Sequence, residues 1–265
     1  MSENNPQGNS STPAEAVEVR IEKILNQGDG LGRHEGQAVF VPLSAPGDLV
    51  RATIIKQGRG FVQTTLDEVL EAGPNRQEAP CQHYGNCGGC NLQHLKSEAQ
   101  RQAKADIVLE CFSRLGKLDV SGMLSGPEAT GGDLGYRNRI RVFSNPAGHY
   151  GMMRRASHDV VALDSCPLLP DQFNNEILPW LRMLPPVEQI IIRLNGQGGW
   201  LLSLFGHAQR MRVMKKILAA VPVDESPAPG CVGIMFNNRP IWGKDYLINE
   251  VSGSKFRVSA QSFFQ

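Results

Sequence analysis

Residues 17–66 read VEVRIEKILNQGDGLGRHEGQAVFVPLSAPGDLVRATIIKQGRGFVQTTL, and four β-rich runs can be cut from them: VEVRIEKIL (17–25), QAVFVP (37–42), DLVRATIIK (48–56) and FVQTTL (61–66). Each is short, rich in β-branched residues and bounded by Gly, Pro or Asp, with the glycine-rich GDGLGRHEG (28–36) between the first two. Four or five short strands in about 55 residues fit a small closed barrel of the OB type, because closing a sheet removes its unpaired edges.

Toward the N-terminus stands MSENNPQGNSSTPA (1–14), rich in Ser, Asn, Pro and Gly and without the basic and apolar parts of a secretory signal. It is expected to be a disordered tail on a cytoplasmic protein, which leaves residues 15–72 for the barrel. In the other direction EAGPNRQEAP (71–80) is a polar linker, and residues 73–265 are expected to form one further domain.

The 265 residues are 41% hydrophobic and 20% charged, an ordinary globular balance. The longest apolar runs, CVGIMF (231–236) and WLLSLF (200–205), fall far short of the roughly 20 residues that a membrane helix needs, so no membrane association is expected. A formal net charge of +1 does not announce a nucleic-acid binder, but charge is unevenly spread. Arg137, Arg139, Arg141, Arg154 and Arg155 lie in a stretch with no acidic residue, a local positive stripe suited either to phosphate groups or to a solvated strand face.

From Leu95 the apolar positions Leu95, Ala99, Ala103, Ile107, Val108, Cys111, Phe112 and Leu115 recur at steps of three and four, which predicts an amphipathic helix ending at Gly116. Beyond Gly135 strand patterns return in YRNRIRVF, HYGMMRR, DVVALDSC, EQIIIRL, WLLSLFG, CVGIMFN and KFRVSA, with helices predicted over 171–183 and 209–220. Antiparallel-looking strands with a few helices read as an α+β domain, not as alternating βαβ units. The glycine-rich LNGQGGW (194–200) precedes a strand-like run, so it reads as a hairpin turn and not as a phosphate cradle.

Cys81, Cys87 and Cys90 follow C-x5-C-x2-C in CQHYGNCGGC, interleaved with Gly85, Gly88 and Gly89. Six cysteines in a chain that is neither small nor visibly exported argue for reduced thiols and not for a disulfide framework. Three thiolates on one short loop can hold a soft metal centre, and glycines let the backbone curl around it and aim amide groups at the sulfurs. A fourth ligand is expected from Cys166 in DSCPLLP, where the following proline fixes a turn. Zinc also accepts four cysteines, but the spacing lacks the paired C-x2-C arms of a zinc ribbon, which favours iron–sulfur. Cys111 and Cys231 sit in apolar patterns and read as core residues, and the six histidines show no ligand spacing.

Taken together, CQHYGNCGGCNLQHL, GYRNRIR, YGMMRR, VALDSCPLL and FRVSAQSFFQ resemble the RNA 5-methyluridine methyltransferases, most closely the bacterial ones that act on 23S ribosomal RNA. The resemblance runs from about Val17 to Gln265. It implies an OB-type TRAM domain, a central α+β domain holding a 4Fe-4S cluster on Cys81, Cys87, Cys90 and Cys166, and a Rossmann-like domain binding S-adenosylmethionine. It also implies that Gln265 edges the methyl-donor site and that Phe263 lies near the RNA. The family's donor loop, its Asp-Pro-Pro segment with the nucleophilic cysteine, and its glutamate base have no counterpart in these residues, so the Rossmann-like domain is expected to be absent and the catalytic groups to lie past the C-terminus.

That absence matters chemically. Position 5 of uracil is a poor nucleophile, so a thiolate must add at position 6 to make an enolate able to attack a methyl sulfonium, after which the proton at position 5 leaves. The base must also be flipped out of the RNA. The expectation is therefore the RNA-binding, iron–sulfur portion of a 23S ribosomal RNA uracil-5-methyltransferase, inactive alone and monomeric. The five arginines would meet phosphates, Tyr136 and Phe263 would stack on bases, and the cluster would be structural. A stand-alone RNA-binding module and a cluster-based electron carrier are the alternatives.

Overall fold

Alternation builds the first unit. In β1 (Ala16–Ile24) Val17, Val19 and Ile21 point inward while their neighbours face water, the period-two pattern of a half-buried strand. They meet Val39 and Val41 of β3 (Gln37–Val41), Val50 and Ala52 of β4 (Leu49–Gly58) and Val62 of β5 (Phe61–Glu71). With β2 (Gly30–His34) the five strands close into a barrel in the order β1-β2-β3-β5-β4, in which β3 and β5 are parallel and the other pairs antiparallel. Gly32 permits the closure at β1, since a Cβ there would overlap the Val19 side chain and the Arg20 carbonyl. The structure is a computed structural model that describes residues 15–128, 131–222 and 225–262, so the expectations for the tail (1–14), Phe263 and Gln265 fall outside the described residues.

Asp48 locks the barrel. Its fully buried carboxylate accepts the N–H groups of Ala45 (2.6 Å) and Gly73 (2.7 Å) and the Arg76 guanidinium (2.6 Å), while Arg76 also donates to the Leu43 carbonyl. Burial by itself would raise the Asp48 pKa, but Arg76 and the two backbone donors outweigh it and hold the carboxyl below its ordinary value.

The same unit contains α1 (Ser97–Glu110), which buries Ala103 against Ile24, Ala45 and Leu95. The helix continues as a π-helical turn over Cys111–Gly116, and the chain reverses at Lys117 in a left-handed conformation (φ 54°), one residue past the glycine where the sequence predicts the stop. Among the described residues no helix is long and apolar enough to cross a membrane.

The second compact unit joins residues 80–90 to the chain from 131 onward. Its strands are β6 (Arg139–Ser144), β7 (Tyr150–Met153), β8 (Val160–Ala162), β9 (Gln189–Leu194), β10 (Trp200–Phe205), β11 (Cys231–Phe236) and β12 (Arg239–Gly243), in the sheet order β12-β11-β10-β9-β6-β7-β8. The helices are α2 (Leu178–Met183), entered through a π-helical turn at Phe173–Ile177, and α3 (Ala208–Ala219). One sheet face packs Ile140, Val142, Ile190, Ile192, Leu202 and Ile234 against these helices, with Trp180 and Trp200 edge to face at 5.4 Å. A separate hairpin, β13 (Tyr246–Val251) with β14 (Ser254–Ser259), covers part of the other face through Leu247, which packs with Leu201, Met235 and Ala260.

The expected reading, α+β without alternating βαβ units, does not foresee the one βαβ unit held among the described residues. β10 and β11 are parallel, linked by α3, whose Met214 and Leu218 pack into the main core. Burying that helix stripe on the sheet carries the chain back to the end where β10 began, so the next strand must run in the same direction. Among the described residues the remaining neighbours in this sheet are antiparallel.

Replacing Asp48 with alanine strands two N–H groups and a mostly buried guanidinium, and is expected to destabilise the first unit by about 3–5 kcal/mol in urea unfolding followed by circular dichroism. Because the folded carboxyl titrates below its ordinary value of 3.8, its stabilisation is complete above that pH and is lost as the solution is acidified further. Asp48→Ala should flatten this acid limb; an unchanged pH–stability curve would refute the assignment.

Candidate metal centre and nucleic-acid interface

The cysteine loop is shaped by its glycines and held to β7 by backbone bonds. Gly85 takes a left-handed φ of 86°, and the Tyr84 and Cys87 N–H groups turn back onto the Cys81 and His83 carbonyls at 3.0 and 2.8 Å. Gly88 donates to the Met153 carbonyl at 2.9 Å, and Cys87 pairs with Arg154 as an isolated antiparallel bridge. A Cβ at Gly88 would come within 2.8 Å of that carbonyl, so the loop approaches β7 this closely only because the residue has no side chain. Arg154 donates to Asn86 Oδ1 (3.1 Å) and Arg137 to the Gly89 carbonyl (3.0 Å).

Cys166 is positioned from the other side. Its N–H donates to Asn174 Oδ1 at 2.8 Å, and Asn174 Nδ2 donates to its carbonyl at 3.2 Å, a two-point clamp from the π-helical turn. Burial raises the pKa of the Cys166 thiol, opposed by the N–H groups of Leu168 and Leu169 and by Arg137, and the neighbouring Cys81 raises it further. Burial likewise raises the Cys87 thiol, opposed by the Gly89 N–H and Arg137 and reinforced by Cys166 and Cys81. Cys81, Cys87 and Cys166 are thus brought within electrostatic reach of one another with Arg137 among them, and Cys90 lies half-buried on the same loop.

Sulfurs with N–H donors aimed at them and a guanidinium nearby suit a thiolate-held centre, whose excess negative charge such groups neutralise. As placed, no three Cys, His, Asp or Glu side chains among the described residues converge to metal-holding distance, so the sulfurs must close inward to ligate. Cys231 is a different kind of cysteine. Burial pushes its thiol up to about 12, and it sits in the apolar core as its sequence pattern predicts. Cys111 is exposed at the start of the first π-helical turn.

The arginine stripe divides in three dimensions. Arg137, Arg154 and Arg155 border the cysteine loop, and the first two hold it in place. Arg139 and Arg141 project from the sheet face opposite the main core, and neither has an ion-pair partner among the described residues. Arg139 is half-buried, and that dehydration together with the charge of Arg141 lowers its pKa. Tyr136 is 61% exposed just before β6.

The sequence stripe misses Arg193. It is only 5% exposed, lies directly across from Arg139 in the β6–β9 register and donates to the Ser262 carbonyl. Its pKa is lowered by burial and by Arg139. The signal was available in QIIIRL, an apolar run long enough to be buried on both faces yet interrupted by a cation, because a charge in such a strand is seldom placed there without a function.

Comparison with known proteins gives this geometry a context. The TRAM domain model matches residues 11–64. An uncharacterized RNA methyltransferase of Listeria monocytogenes is 29% identical over 280 residues, covering 95% of this chain and 61% of the relative. The 23S rRNA (uracil(1939)-C(5))-methyltransferase RlmD of Halomonas elongata is 36% identical over 176 residues, covering 64% of this chain and 36% of the relative. In fold the chain is similar to the crystal structure of Pyrococcus abyssi tRNA (uracil-54, C5)-methyltransferase in complex with S-adenosyl-L-homocysteine, with a TM-score of 0.61, 18% identity, and coverage of 94% of this chain and 61% of that one.

These findings correct the expectation of an RNA-binding and iron–sulfur portion defined by a missing Rossmann-like domain, and with it the stand-alone module. Similarity to proteins named methyltransferase runs along 95% of the chain, and the solved chain matched over 94% of it is itself a methyltransferase. The chain spans 61% of the length of the Listeria relative. The barrel at one end, the cysteine loop with its clamp, and this continuous similarity converge on one conclusion: the chain is similar along nearly its whole length to proteins named RNA methyltransferase, and over 64% of it to a 23S rRNA uracil-5-methyltransferase.

Proposed function

We propose that the protein methylates position 5 of a uracil in ribosomal RNA, with S-adenosylmethionine as donor, and that its described residues hold the RNA and keep the target strand unstacked. The observation that carries this reading is a TRAM barrel and an arginine-bearing sheet face in one chain whose relatives are named RNA methyltransferases. The RlmD relative favours ribosomal over transfer RNA.

In this reading the barrel (15–72) and the guanidinium groups of Arg139, Arg141 and Arg155 meet phosphates, which set register without reading sequence. Tyr136 offers its exposed ring to an unstacked base. Phe263 and Gln265 are assigned to the RNA and to the donor edge on the family resemblance alone. S-adenosylmethionine supplies an electrophilic methyl group when bound. Neither Cys231, whose thiol is pushed up to about 12, nor Cys111 is assigned the attack on uracil.

Cys81, Cys87, Cys90 and Cys166 are proposed to hold a 4Fe-4S cluster within the second unit, which leaves out the stretch 91–128 that the expected domain 73–265 would have included. It would supply a covalent staple between the loop at 81–90 and the strand exit at 166. Asn174 fixes the backbone of Cys166, the glycine-rich loop presents its N–H groups to sulfur, and Arg137 offsets the accumulated negative charge.

Disrupting the gene should remove 5-methyluridine from digests of 23S ribosomal RNA analysed by mass spectrometry; loss from transfer RNA instead would redirect the substrate, and loss from neither would overturn the activity. In binding titrations, Arg141→Gln should weaken affinity for unrelated RNA sequences alike and lower the salt slope by about one. Anaerobically purified protein should carry about four irons with matching acid-labile sulfide, as a cluster held by four cysteines requires. Cys87→Ala should lower iron content and folded yield together, whereas stoichiometric zinc, or a folded iron-free variant, would exclude the structural cluster.

A further inference from the structure

Beside the arginine-bearing face lies a pocket of about 370 Å³ formed with the β13–β14 hairpin. Arg193 and Asn138 line it from the sheet side, and Asn249 from β13. Leu247 and Val258 make apolar walls, and the Phe256 ring, 52% exposed, stands paired with Asn249 across the hairpin. Arg257, which also borders the pocket, lies 4.0 Å from the Tyr246 ring centre and pairs with Asp245 at 3.3 Å, which stiffens the hairpin.

Asn249 Oδ1, in the lining, is buried without a hydrogen-bond partner among the described residues, and so is Arg139 Nε on the neighbouring sheet face. A buried acceptor left unmade destabilises the fold, so such a group persists where a ligand or water answers it. The lining also discriminates between ligands. Apolar walls, a half-exposed aromatic ring and a few converging polar atoms form the usual surroundings of a flat, partly polar molecule. A phosphate alone would leave the ring and walls unused and would meet an amide oxygen that repels it. A nucleobase uses every part: its π-face the ring, its body the walls, and an N–H on its edge the Asn249 oxygen, which must turn outward from its buried position to meet it.

We propose that this pocket takes one unstacked nucleobase of single-stranded RNA, stacked on Phe256 and hydrogen-bonded by Asn249, with flanking phosphates held by Arg139 and Arg141. The proposal rests on the RNA-binding reading and adds to it a base-holding site built around the β13–β14 hairpin. The arginines position the backbone while the pocket grips a base, so the two contributions differ in salt dependence.

The test is a titration of the full 265-residue chain with a labelled single-stranded RNA oligonucleotide and with an abasic sugar–phosphate strand of the same length. Phe256→Ala should weaken RNA binding about tenfold with an unchanged salt slope, since one base–aromatic stack is worth roughly 1–3 kcal/mol. Phe256→Trp should retain affinity, and Asn249→Leu, which keeps the volume and removes the acceptor, should weaken it. None of the three should change binding of the abasic strand. RNA carrying 4-thiouridine should photo-crosslink to the peptide spanning residues 246–259. Thermal unfolding of each variant checks that the hairpin still folds, and the crosslink on the unaltered chain reports independently of any variant. If the chain binds RNA, Phe256→Ala and Asn249→Leu match it, and no crosslink falls on the hairpin, the pocket assignment is overturned while the RNA reading stands. If the unaltered chain binds no RNA at low salt, both fall.

Discussion

Strand β9 is buried along both of its faces, and the second unit is organised by that constraint. Ile190, Ile192 and Leu194 point into the main core, each worth about 1.5–3 kcal/mol when removed from water. Because side chains alternate, Ile191 and Arg193 are thereby committed to the opposite face. A slip of one residue against β6 would drive Arg193 into the apolar core beside Trp200 and Leu202, so the hydrophobic pattern fixes the register and the register fixes the arginine face.

The opposition of Arg139 and Arg193 follows directly. Two like charges directly across an antiparallel pair disfavour the sheet, and partial burial makes the repulsion harder to screen. The sheet tolerates them because burial of its apolar face contributes more than the repulsion costs, and the residual potential is what a polyanion would relieve. Arg137 and Arg154 act differently, since their bonds to the Gly89 carbonyl and to Asn86 organise the cysteine loop.

The thiol region obeys a related logic of close approach. Gly88 lets the loop lie against the Met153 carbonyl, and the Asn174 clamp fixes Cys166 from a π-helical turn, an irregularity that often marks a functional position. Burial raises the pKa of the Cys87 and Cys166 thiols and neighbouring cysteines raise it further, whereas a bound cationic centre would reverse the sign of those interactions.

Much of this protein is legible from local pattern. The runs VEVRIEKIL and QAVFVP, the helix that begins near Leu95, the hairpin turn in LNGQGGW and the apolar surroundings of Cys231 each depend on spacings of a few residues that the chain states outright. The parallel pairing of β10 and β11, the division of the arginines between loop and sheet, the burial of Arg193 and the pocket under the β13–β14 hairpin do not, because each depends on which distant segments become neighbours. The sequence alone determined periodicity, turn chemistry and the inventory of thiols and cations, which are properties of adjacent residues. Only the tertiary structure decided which of those groups share a face and which lose their water, since burial belongs to the packed sheet and not to any single stretch of chain.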